Sequence, residues 1–355
     1  MASPDRASTI ISVAREAGVS IATVSRVINN PALVAHDTRH RVMKVIQERN
    51  FRISKEAQMT RRRQRALRAG RIGFLVPDVP HRSSESITEE MSKGIQKTLK
   101  HKGLELVLDY YHYESDPYEA MPKMLRENSV DGVLVRPPPN RSLLAEFCRG
   151  RKAVILGNTF ADLDIPCVIA DDWAGMRLLM EYLFELGHRR IGFVGNTLSS
   201  LINLRRFQSY RSILEERGTR YDERLVRIHD AWMIRAEETP AITRRFLGEL
   251  LSLDDPPTAI AAVTDGFAAS LMQVASERGL RVPKDLSVTG FGDQYYAPFT
   301  DPPLTTVHID QRATGEIGAQ QLLQLIEGAS YSAQTLVLPT FIERRSCAAL
   351  TNREQ

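Results

Sequence analysis

The sequence predicts a small all-helical domain at the N-terminus, followed by a larger α/β body built on parallel sheets. Two short amphipathic helices joined by a tight turn are predicted within Thr9–Asn29. From Arg71 onward, β-rich runs alternate with helical stretches, which is typical of parallel sheets covered by helices. The first 71 residues carry a net charge of +10 and the whole chain carries +4, so residues 72–355 carry −6. A basic head on an acidic body indicates a protein that binds a polyanion.

The first predicted helix has one apolar face. Val13, Ala14 and Ala17 recur at the spacing of an amphipathic helix. Gly18 follows as the permissive residue that a sharp turn needs, and Ser20 is a natural N-cap for the next helix. These residues predict a helix, a tight turn and a second helix.

The second predicted helix, Ile21–Asn29, has two usable faces. Val24, Val27 and Ile28 point one way and supply the buried face. The opposite face carries Ile21, Ala22, Ser25, Arg26 and Asn29. Hydroxyls suit phosphate, arginine suits guanine and apolar groups suit thymine methyls, so the pattern predicts a helix-turn-helix whose second helix reads DNA. An ordinary packed helix pair is the competing interpretation, and the N-terminal position and the basic charge disfavour it.

The body shows strand–helix alternation throughout. The predicted strands are IGFLVPD, LELVLDYY, DGVLVRP, KAVILGN, IGFVGN, AIAAVTD and LSVTGFG. The predicted helices include 87–102, 173–186, 204–217 and 267–278. Two sets of this alternation predict two lobes, each a doubly wound parallel sheet.

Composition narrows the class of protein. No apolar stretch approaches 18 residues and the first residues lack the apolar core of a signal peptide, so we expect a soluble, cytoplasmic protein with no membrane contact. Cys148, Cys167 and Cys347 are far apart and outside metal-ligand spacing, which predicts buried free thiols and no metal. We expect no cofactor.

Enzyme motifs for nucleotides, acyl transfer or zinc hydrolysis are missing from the sequence. His188 is expected to end a helix, and the paired carboxylates Asp171 and Asp172 are expected to open one, where acids favour the positive helix end. Catalysis is therefore a remote alternative. A solute-binding sensor without specific DNA binding is a second alternative, but it has no use for a basic head.

Longer motifs carry a family resemblance. The run GVSIATVSRVINNPALV, a third helix around 36–49 and Phe51 resemble the DNA-binding head of the lactose-repressor (LacI/GalR) family. The motifs LGHRRIGFVGN, ERGLRVPKDLSVTGF and PPLTTV extend the resemblance through the body. It implies a ligand-controlled repressor with a periplasmic-binding-protein-like body, in which the chain crosses between the lobes three times. The implied divisions are a head of residues 1–53, a hinge and linker of residues 54–71, and an effector-binding and dimerisation domain of residues 72–355.

The resemblance implies roles for individual head residues. Ile21, Ala22 and Arg26 match the family's base-reading positions. The phosphate-contacting positions match Thr9, Ser20, Thr23, Ser25 and Asn29. Because one recognition helix reads only a few base pairs, we expect a homodimer on a pseudo-palindromic operator, with a central CG step implied by the Ile–Ala pair.

The hinge departs from the family pattern. Phe51 and Ala57 fit, but the usual Pro, Asn and Leu are replaced by Ile53, Ser54 and Thr60. Thr60 is a poor minor-groove wedge, and Met59 and Leu67 are the alternative wedges. The expected hinge residues are Ser54, Ala57, Met59, Thr60, Arg61, Arg62 and Arg63. Two interpretations stay open for this basic segment: a solvated linker, or a helix that forms on DNA.

The family's effector positions fall at the ends of predicted strands. They match Pro77, Asp78, Arg136, Asn158, Arg206, Trp232, Asp265 and Asp293. Trp232 is either an aromatic wall for a ligand ring or a packed anchor for its loop. Gly292 replaces a family acid and Arg136 replaces a neutral residue, so we expect a carbohydrate-like effector, with a clamp of Arg136 and Arg206 for a carboxylate or phosphate. Salt bridges of Arg136 to Asp78 or Asp265 are the alternative.

Overall fold

The computed structural model describes residues 10–29, 34–49, 69–78, 82–112, 121–137, 140–160, 162–231, 234 and 237–350. Thr9, Trp232 and all seven predicted hinge residues lie outside these ranges, as do the side chains of Ser25 and Asn29. The chain divides into two compact units, Met1–Arg65 and Ala66–Gln355. The divisions 1–53, 54–71 and 72–355 stay a prediction.

The first unit contains three described helices, α1 (Ile10–Glu16), α2 (Ile21–Asn29) and α3 (His36–Glu48). Their shared core consists of Val13, Ala14, Ala17, Val24, Val27, Val42 and Val45. Gly18 has a φ of +65°, the left-handed conformation that lets the chain turn after α1. The hydroxyl of Ser20 accepts a hydrogen bond from the amide of Thr23 at 3.1 Å, so the predicted N-cap of α2 is confirmed.

The second unit alternates strands and helices along its length. Its strands are β1 (Arg71–Pro77), β2 (Glu105–Tyr111), β3 (Gly132–Val135), β4 (Ala153–Leu156), β5 (Cys167–Ala170), β6 (Ile191–Asn196), β7 (Val226–His229), β8 (Ala259–Ala262), β9 (Ser287–Thr289), β10 (Thr306–His308), β11 (Gln334–Val337) and β12 (Thr340–Ile342). Its helices are α4 (Arg82–Lys100), α5 (Lys123–Arg126), α6 (Arg141–Cys148), α7 (Asp172–Glu185), α8 (Leu201–Glu216), α9 (Thr239–Leu251), α10 (Asp265–Glu277) and α11 (Gln311–Glu327). Short 3₁₀ turns occur at Glu223–Leu225 and Ala297–Phe299.

Two parallel sheets form the two lobes. The first lobe has the strand order β11-β5-β4-β3-β1-β2, and the second has β7-β6-β8-β9; every pairing within these sheets is parallel. Strands β10 and β12 form a small antiparallel pair, which bridges to the second lobe through Thr289–Thr305 and Gly292–His308. Because the central strands are buried on both faces, they read as continuous apolar runs such as VLV and AIAA.

The chain passes between the lobes three times. It leaves the first lobe after β5 and enters α7, whose Met176, Leu179 and Leu183 lie in the core of the second lobe. It returns after β10 into α11, which packs on the first sheet, and it leaves again between β11 and β12. Each lobe is therefore discontinuous in sequence, as the family resemblance implied.

The predicted helices start between one and five residues later than the helices in the structure. The helices expected at 87–102, 173–186, 204–217 and 267–278 begin at Arg82, Asp172, Leu201 and Asp265. The first turn of α4, RSSE, is polar and carries no apolar periodicity, so its pattern starts later than the helix. The three cysteines are buried and free, as expected. No helix among the described residues is long and apolar enough to cross a bilayer.

Candidate nucleic-acid interface and inter-lobe cleft

Helix α2 presents an exposed face that the head core does not use. Val24 and Val27 are buried, whereas Ala22 and Arg26 are exposed and the side chain of Ile21 is 49% exposed. A large apolar residue half in solvent at the start of a helix has no packing role in this unit. The three predicted base-reading side chains therefore share one accessible face.

The start of α2 also carries hydroxyls. The Ser20 and Thr23 hydroxyl oxygens lie 2.9 Å apart, so the two groups are hydrogen-bonded to each other and to the helix start. Hydroxyls and backbone amides at a helix N-terminus are suitable phosphate partners. The structure places these two predicted phosphate contacts beside Ile21 and Ala22.

An ion pair fixes the third helix. Arg49 at the end of α3 pairs with Glu16 at the end of α1. This contact ties the ends of the two supporting helices together, and it positions α2 through the apolar core that all three share. Sequence reasoning did not identify the pair.

In the first lobe, the predicted effector residues lie at the carboxyl ends of parallel strands, where α/β proteins bind ligands. Pro77 ends β1 and Asp78 follows it, Arg136 follows β3 and Asn158 lies two residues after β4. They therefore share one edge of the first lobe. Asp78 is exposed and pairs with His112 at 3.3 Å, and Asn158 is buried.

Arg136 is the cation of this edge. Its Nη1 donates to the hydroxyl of Thr88 on α4 at 2.7 Å, and its carbonyl oxygen accepts from the hydroxyl of Tyr111 at 2.6 Å. Burial lowers the pKa of Arg136 to about 10, so the guanidinium stays charged at neutral pH. The contacts described for Asp78 and Asp265 are made with other residues, so neither of the alternative salt bridges to Arg136 is among them.

In the second lobe, Arg206 on α8 is buried and already paired. Its Nε and Nη2 donate to the same carboxylate oxygen of Asp172, at 2.8 and 2.6 Å, and its Nη1 donates to the carbonyl of Val263. Its guanidinium carbon lies 3.6 Å from the ring centroid of Phe291. Burial raises the pKa of Asp172, and the neighbouring Arg206 opposes that rise.

This geometry bears on the expected two-arginine clamp, because one of its two arginines already has a carboxylate partner. The clamp needs two uncompensated cations facing the ligand, but the charge of Arg206 is balanced by Asp172 inside the protein. Sequence reasoning had placed Asp172 at the start of a helix, which is where it lies, without assigning it to Arg206. The assignment of Arg136 and Arg206 as effector contacts stays a prediction.

Asp265 is fully buried at the start of α10. One of its carboxylate oxygens accepts from the hydroxyl of Thr306 at 2.6 Å and the other accepts from the amide of Gln294 at 2.6 Å. Burial raises its pKa to about 6. Its carboxylate therefore joins β10 to the loop after β9, and the direct ligand contact expected of it stays a prediction.

Asp293 also has protein partners. It accepts from Arg344 at 2.6 Å and lies 3.2 Å from Nδ1 of His308. Burial opposes the effect of these two partners, and the net result is a pKa below the ordinary value. The hydrogen bond to Asp293 raises the pKa of His308. Asp293 has a φ of +51° and follows Gly292, so the backbone makes a left-handed turn at this edge.

A polar network at the mouth of the second lobe had no signal in the sequence. Thr197 donates to Asp230 at 2.9 Å, and Asn203 donates to Asn196 at 2.9 Å and to the carbonyl of Thr197. Asn196 ends β6, Thr197 and Asp230 follow β6 and β7, and Asn203 lies in the first turn of α8. Hydroxyl and amide groups at this position suit the hydroxyls of a polar ligand.

A cavity of about 110 Å³ lies between the lobes. Ser86, Ile87 and Glu90 of α4 line it from the first lobe, and the loop from Gly292 to Tyr295 lines it from the second. The residues from His308 to Arg312, which carry the second crossing, complete it. Because groups from both lobes line the space, its shape depends on the angle between them.

Comparison with known proteins assigns the family. Residues 9–54 match the model of the bacterial regulatory proteins of the lacI family, and residues 180–347 match a periplasmic binding protein-like domain. The chain is 31% identical to the HTH-type transcriptional repressor PurR of Salmonella newport (strain SL254) over 346 residues, 96% of this chain and 97% of PurR. The chain belongs to the LacI family. It is thus a DNA-binding transcriptional regulator with an effector-binding body, and not an enzyme or a solute-binding sensor alone.

Solved structures agree with this LacI-family assignment. The lac repressor dimer bound to operator and the anti-inducer ONPF is 25% identical, with a TM-score of 0.66 over 97% of this chain and 100% of that one. The transcriptional regulator CelR in complex with cellobiose is also 25% identical, with a TM-score of 0.66 over 96% of this chain and 99% of that one. A LacI-family regulator from Mycobacterium smegmatis is 27% identical, with a TM-score of 0.69 over 79% of this chain and 100% of that one.

Proposed function

We propose that this protein is a cytoplasmic repressor that binds a pseudo-palindromic operator as a homodimer and responds to a carbohydrate-like effector with an acidic group. The observation that carries the proposal is the pairing of an exposed recognition face on α2 with a two-lobed body that has ligand-type polar groups at its strand ends. The family relatives PurR and lac repressor are named repressors, which supports repression rather than activation.

On the DNA side, Ile21, Ala22 and Arg26 read bases. Arg26 has the greatest discriminating power, because a bidentate arginine–guanine contact is worth about 1–3 kcal/mol. The apolar pair reads methyl groups and shape, in keeping with a central CG step. The phosphate contacts are made by Thr9, Ser20, Thr23, Ser25 and Asn29.

The basic segment after the head is the proposed hinge. Ser54, Ala57, Met59 and Thr60 form a helix on DNA, and Arg61, Arg62 and Arg63 contact phosphates. Six arginines lie between residues 61 and 71, which supports an electrostatic role for this segment.

Dimerisation is supported by exposed apolar side chains on both lobes. Leu108 and Tyr110 lie on the edge strand β2 and are 40% and 55% exposed, and Phe299 in the second lobe is 84% exposed. Leu108 and Tyr110 are two positions apart on β2 and so lie on the same face of the strand, and adjoining exposed apolar groups mark interaction surfaces. The lac repressor is a dimer in its operator complex, and we extend that assembly to this chain.

The effector lies between the lobes. CelR binds cellobiose, which supports a carbohydrate-like ligand. The hydroxyls of the ligand face Arg206 and the network around Thr197, and its acidic group is received by Arg136. Ligand binding changes the angle between the lobes, and the difference in affinity for the two angles sets the change in operator affinity.

Fluorescence anisotropy on an operator duplex tests the effector class. The operator affinity of the full-length protein is measured with matched pairs of a sugar and its acid, such as galactose with galacturonate and glucose with glucose 6-phosphate. We expect the acid of a pair to change the affinity more than the neutral sugar, and Arg136→Gln to abolish that preference. A response to a neutral sugar with none to its acid would contradict the proposal.

A further inference from the structure

We propose that Asp172 determines effector specificity by acting as an internal counter-anion for Arg206. The pair presents hydroxyl-binding N–H groups to the ligand and leaves Arg136 as the receptor for an acidic group. This inference rests on the proposed effector function and adds a specificity-determining residue to it.

The contacts of Arg206 within the protein leave few of its N–H groups available to bind an anion. The side chains of Arg206 and Asp172 are 8% and 3% exposed. Three of the five N–H donors of a guanidinium are used, two by Asp172 and one by the carbonyl of Val263. The ring of Phe291 covers one face of the guanidinium. Within the described part of the chain two N–H donors remain, which is enough for one or two ligand hydroxyls.

The charge of Asp172 affects which ligand groups Arg206 can bind. A buried arginine without a carboxylate partner attracts an anion strongly, because little water screens it. With Asp172 at hydrogen-bond distance, the pair is neutral overall. An anionic ligand group placed here gains little from Arg206, and Asp172 repels it.

The position of Asp172 also links the pair to the lobe crossings. Asp172 is the first residue of α7, directly after the crossing from β5. The preceding residue, Asp171, caps the helix by accepting from the amide of Ala174 at 3.0 Å. Asp171 therefore offers a matched control: the same residue type, one position away, with its described side-chain hydrogen bond made to the helix start.

The test is a sulfate titration of the full-length protein by isothermal calorimetry at constant ionic strength. Asp172→Asn keeps the shape and the acceptor oxygen but removes the charge. We expect this variant to bind sulfate on the order of tenfold more tightly than the unmodified protein, as for a hydrogen bond to an uncompensated charge. Asp171→Asn is expected to behave like the unmodified protein.

Two double variants locate the anion. The gain in Asp172→Asn should persist when Arg136→Gln is added and should vanish when Arg206→Gln is added. Equal sulfate affinity in Asp172→Asn and the unmodified protein, with both folded by circular dichroism, would overturn the proposal. The double variant with Asp172→Asn and Arg136→Gln lacks Arg136, so its sulfate affinity reports on Arg206 alone. The outcome therefore does not depend on whether the natural effector carries an acidic group.

A crystal structure of the unmodified protein grown in ammonium sulfate gives a second test that needs no variant. We expect no sulfate within hydrogen-bond distance of Arg206, whether or not Arg136 carries one. A sulfate bound to Arg206 while Asp172 keeps its contacts would overturn the assignment.

Discussion

The backbone amide of Asp171 donates a hydrogen bond to the carbonyl oxygen of Val337 at 2.9 Å. Asp171 begins the first crossing between the lobes and Val337 ends the strand before the third, so this bond joins two of the three connections. A change of lobe angle must therefore move both segments together. Asp172, the partner of Arg206, is the next residue, which places this proposed effector-binding pair beside the crossing segments.

The first prediction concerns base reading. Arg26→Ala should weaken operator binding about tenfold to a hundredfold and relax the preference at one symmetric base position, because alanine cannot form the bidentate hydrogen bonds to guanine. Fluorescence anisotropy with the operator and with single-base variants measures both effects. Arg26→Lys keeps the charge without the bidentate geometry and should restore affinity more than selectivity. Unchanged selectivity in Arg26→Ala would remove Arg26 from the base-reading set.

The second prediction concerns the basic segment. Replacing Arg61, Arg62 and Arg63 with Ala should flatten the dependence of log affinity on log salt by about 0.9 for each phosphate that the protein no longer neutralises. Filter binding between low and moderate salt gives the slope. A slope equal to that of the unmodified protein would assign these arginines to a spacer.

The third prediction concerns the dimer. Phe299→Asp places a charge at a side chain that is 84% exposed, and we expect it to give monomers and much weaker operator binding. Leu338→Asp is the matched control, because Leu338 is also largely exposed, at 73%. It lies just after β11, the edge strand opposite to β2 in the first sheet. Light scattering after gel filtration measures the mass. Monomers from Leu338→Asp and dimers from Phe299→Asp would move the interface to the β11 side.

The fourth prediction concerns His188, which is buried and hydrogen-bonded to Thr258, Ser287 and the carbonyl of Ala348. Burial lowers its pKa below the ordinary 6.5, so the unfolded chain takes up a proton at a higher pH than the folded protein. The stability that His188 contributes is therefore present above pH 6.5 and is lost as the pH falls below it. Urea unfolding of His188→Gln should show a flatter decline in free energy between pH 7 and 5 than the unmodified protein. Parallel declines would contradict this assignment.

The fifth prediction concerns Asp265 and Thr306. Burial raises the pKa of Asp265 to about 6, so its carboxyl is ionised at pH 7.5 and protonated at pH 5. Thr306→Val removes a hydrogen bond that stabilises the ionised form, which should cost about 1–3 kcal/mol of unfolding free energy at pH 7.5. The cost should be smaller at pH 5, since the protonated carboxyl needs that donor less. An equal cost at the two pH values, measured by urea unfolding, would contradict the assigned pKa.

Local signals in the sequence predicted the head and most of the body. Gly18 and Ser20 mark a turn and a cap whose chemistry depends only on neighbouring residues, and both were confirmed. The strand IGFVGN was predicted at its full length, because it is apolar and ends at polar residues. The strand VRIH was missed, because it lies at the edge of its sheet and is only half-buried.

Long-range partners could not be predicted from the sequence. Arg206 and Asp172 are 34 positions apart, and their contact depends on how α7 and α8 pack. The same holds for Asp293, whose partner Arg344 is 51 positions away. The sequence therefore nominated charged residues along the chain, but it could not tell which of their charges are balanced by partners distant in sequence.

The most direct measurement is selection of DNA sequences from a random library by the purified full-length protein. We expect a two-fold pseudo-palindrome with a central CG step, because paired α2 helices from a dimer read two half-sites. Enrichment of an asymmetric sequence, or of none, would contradict the proposed dimeric repressor and its recognition residues.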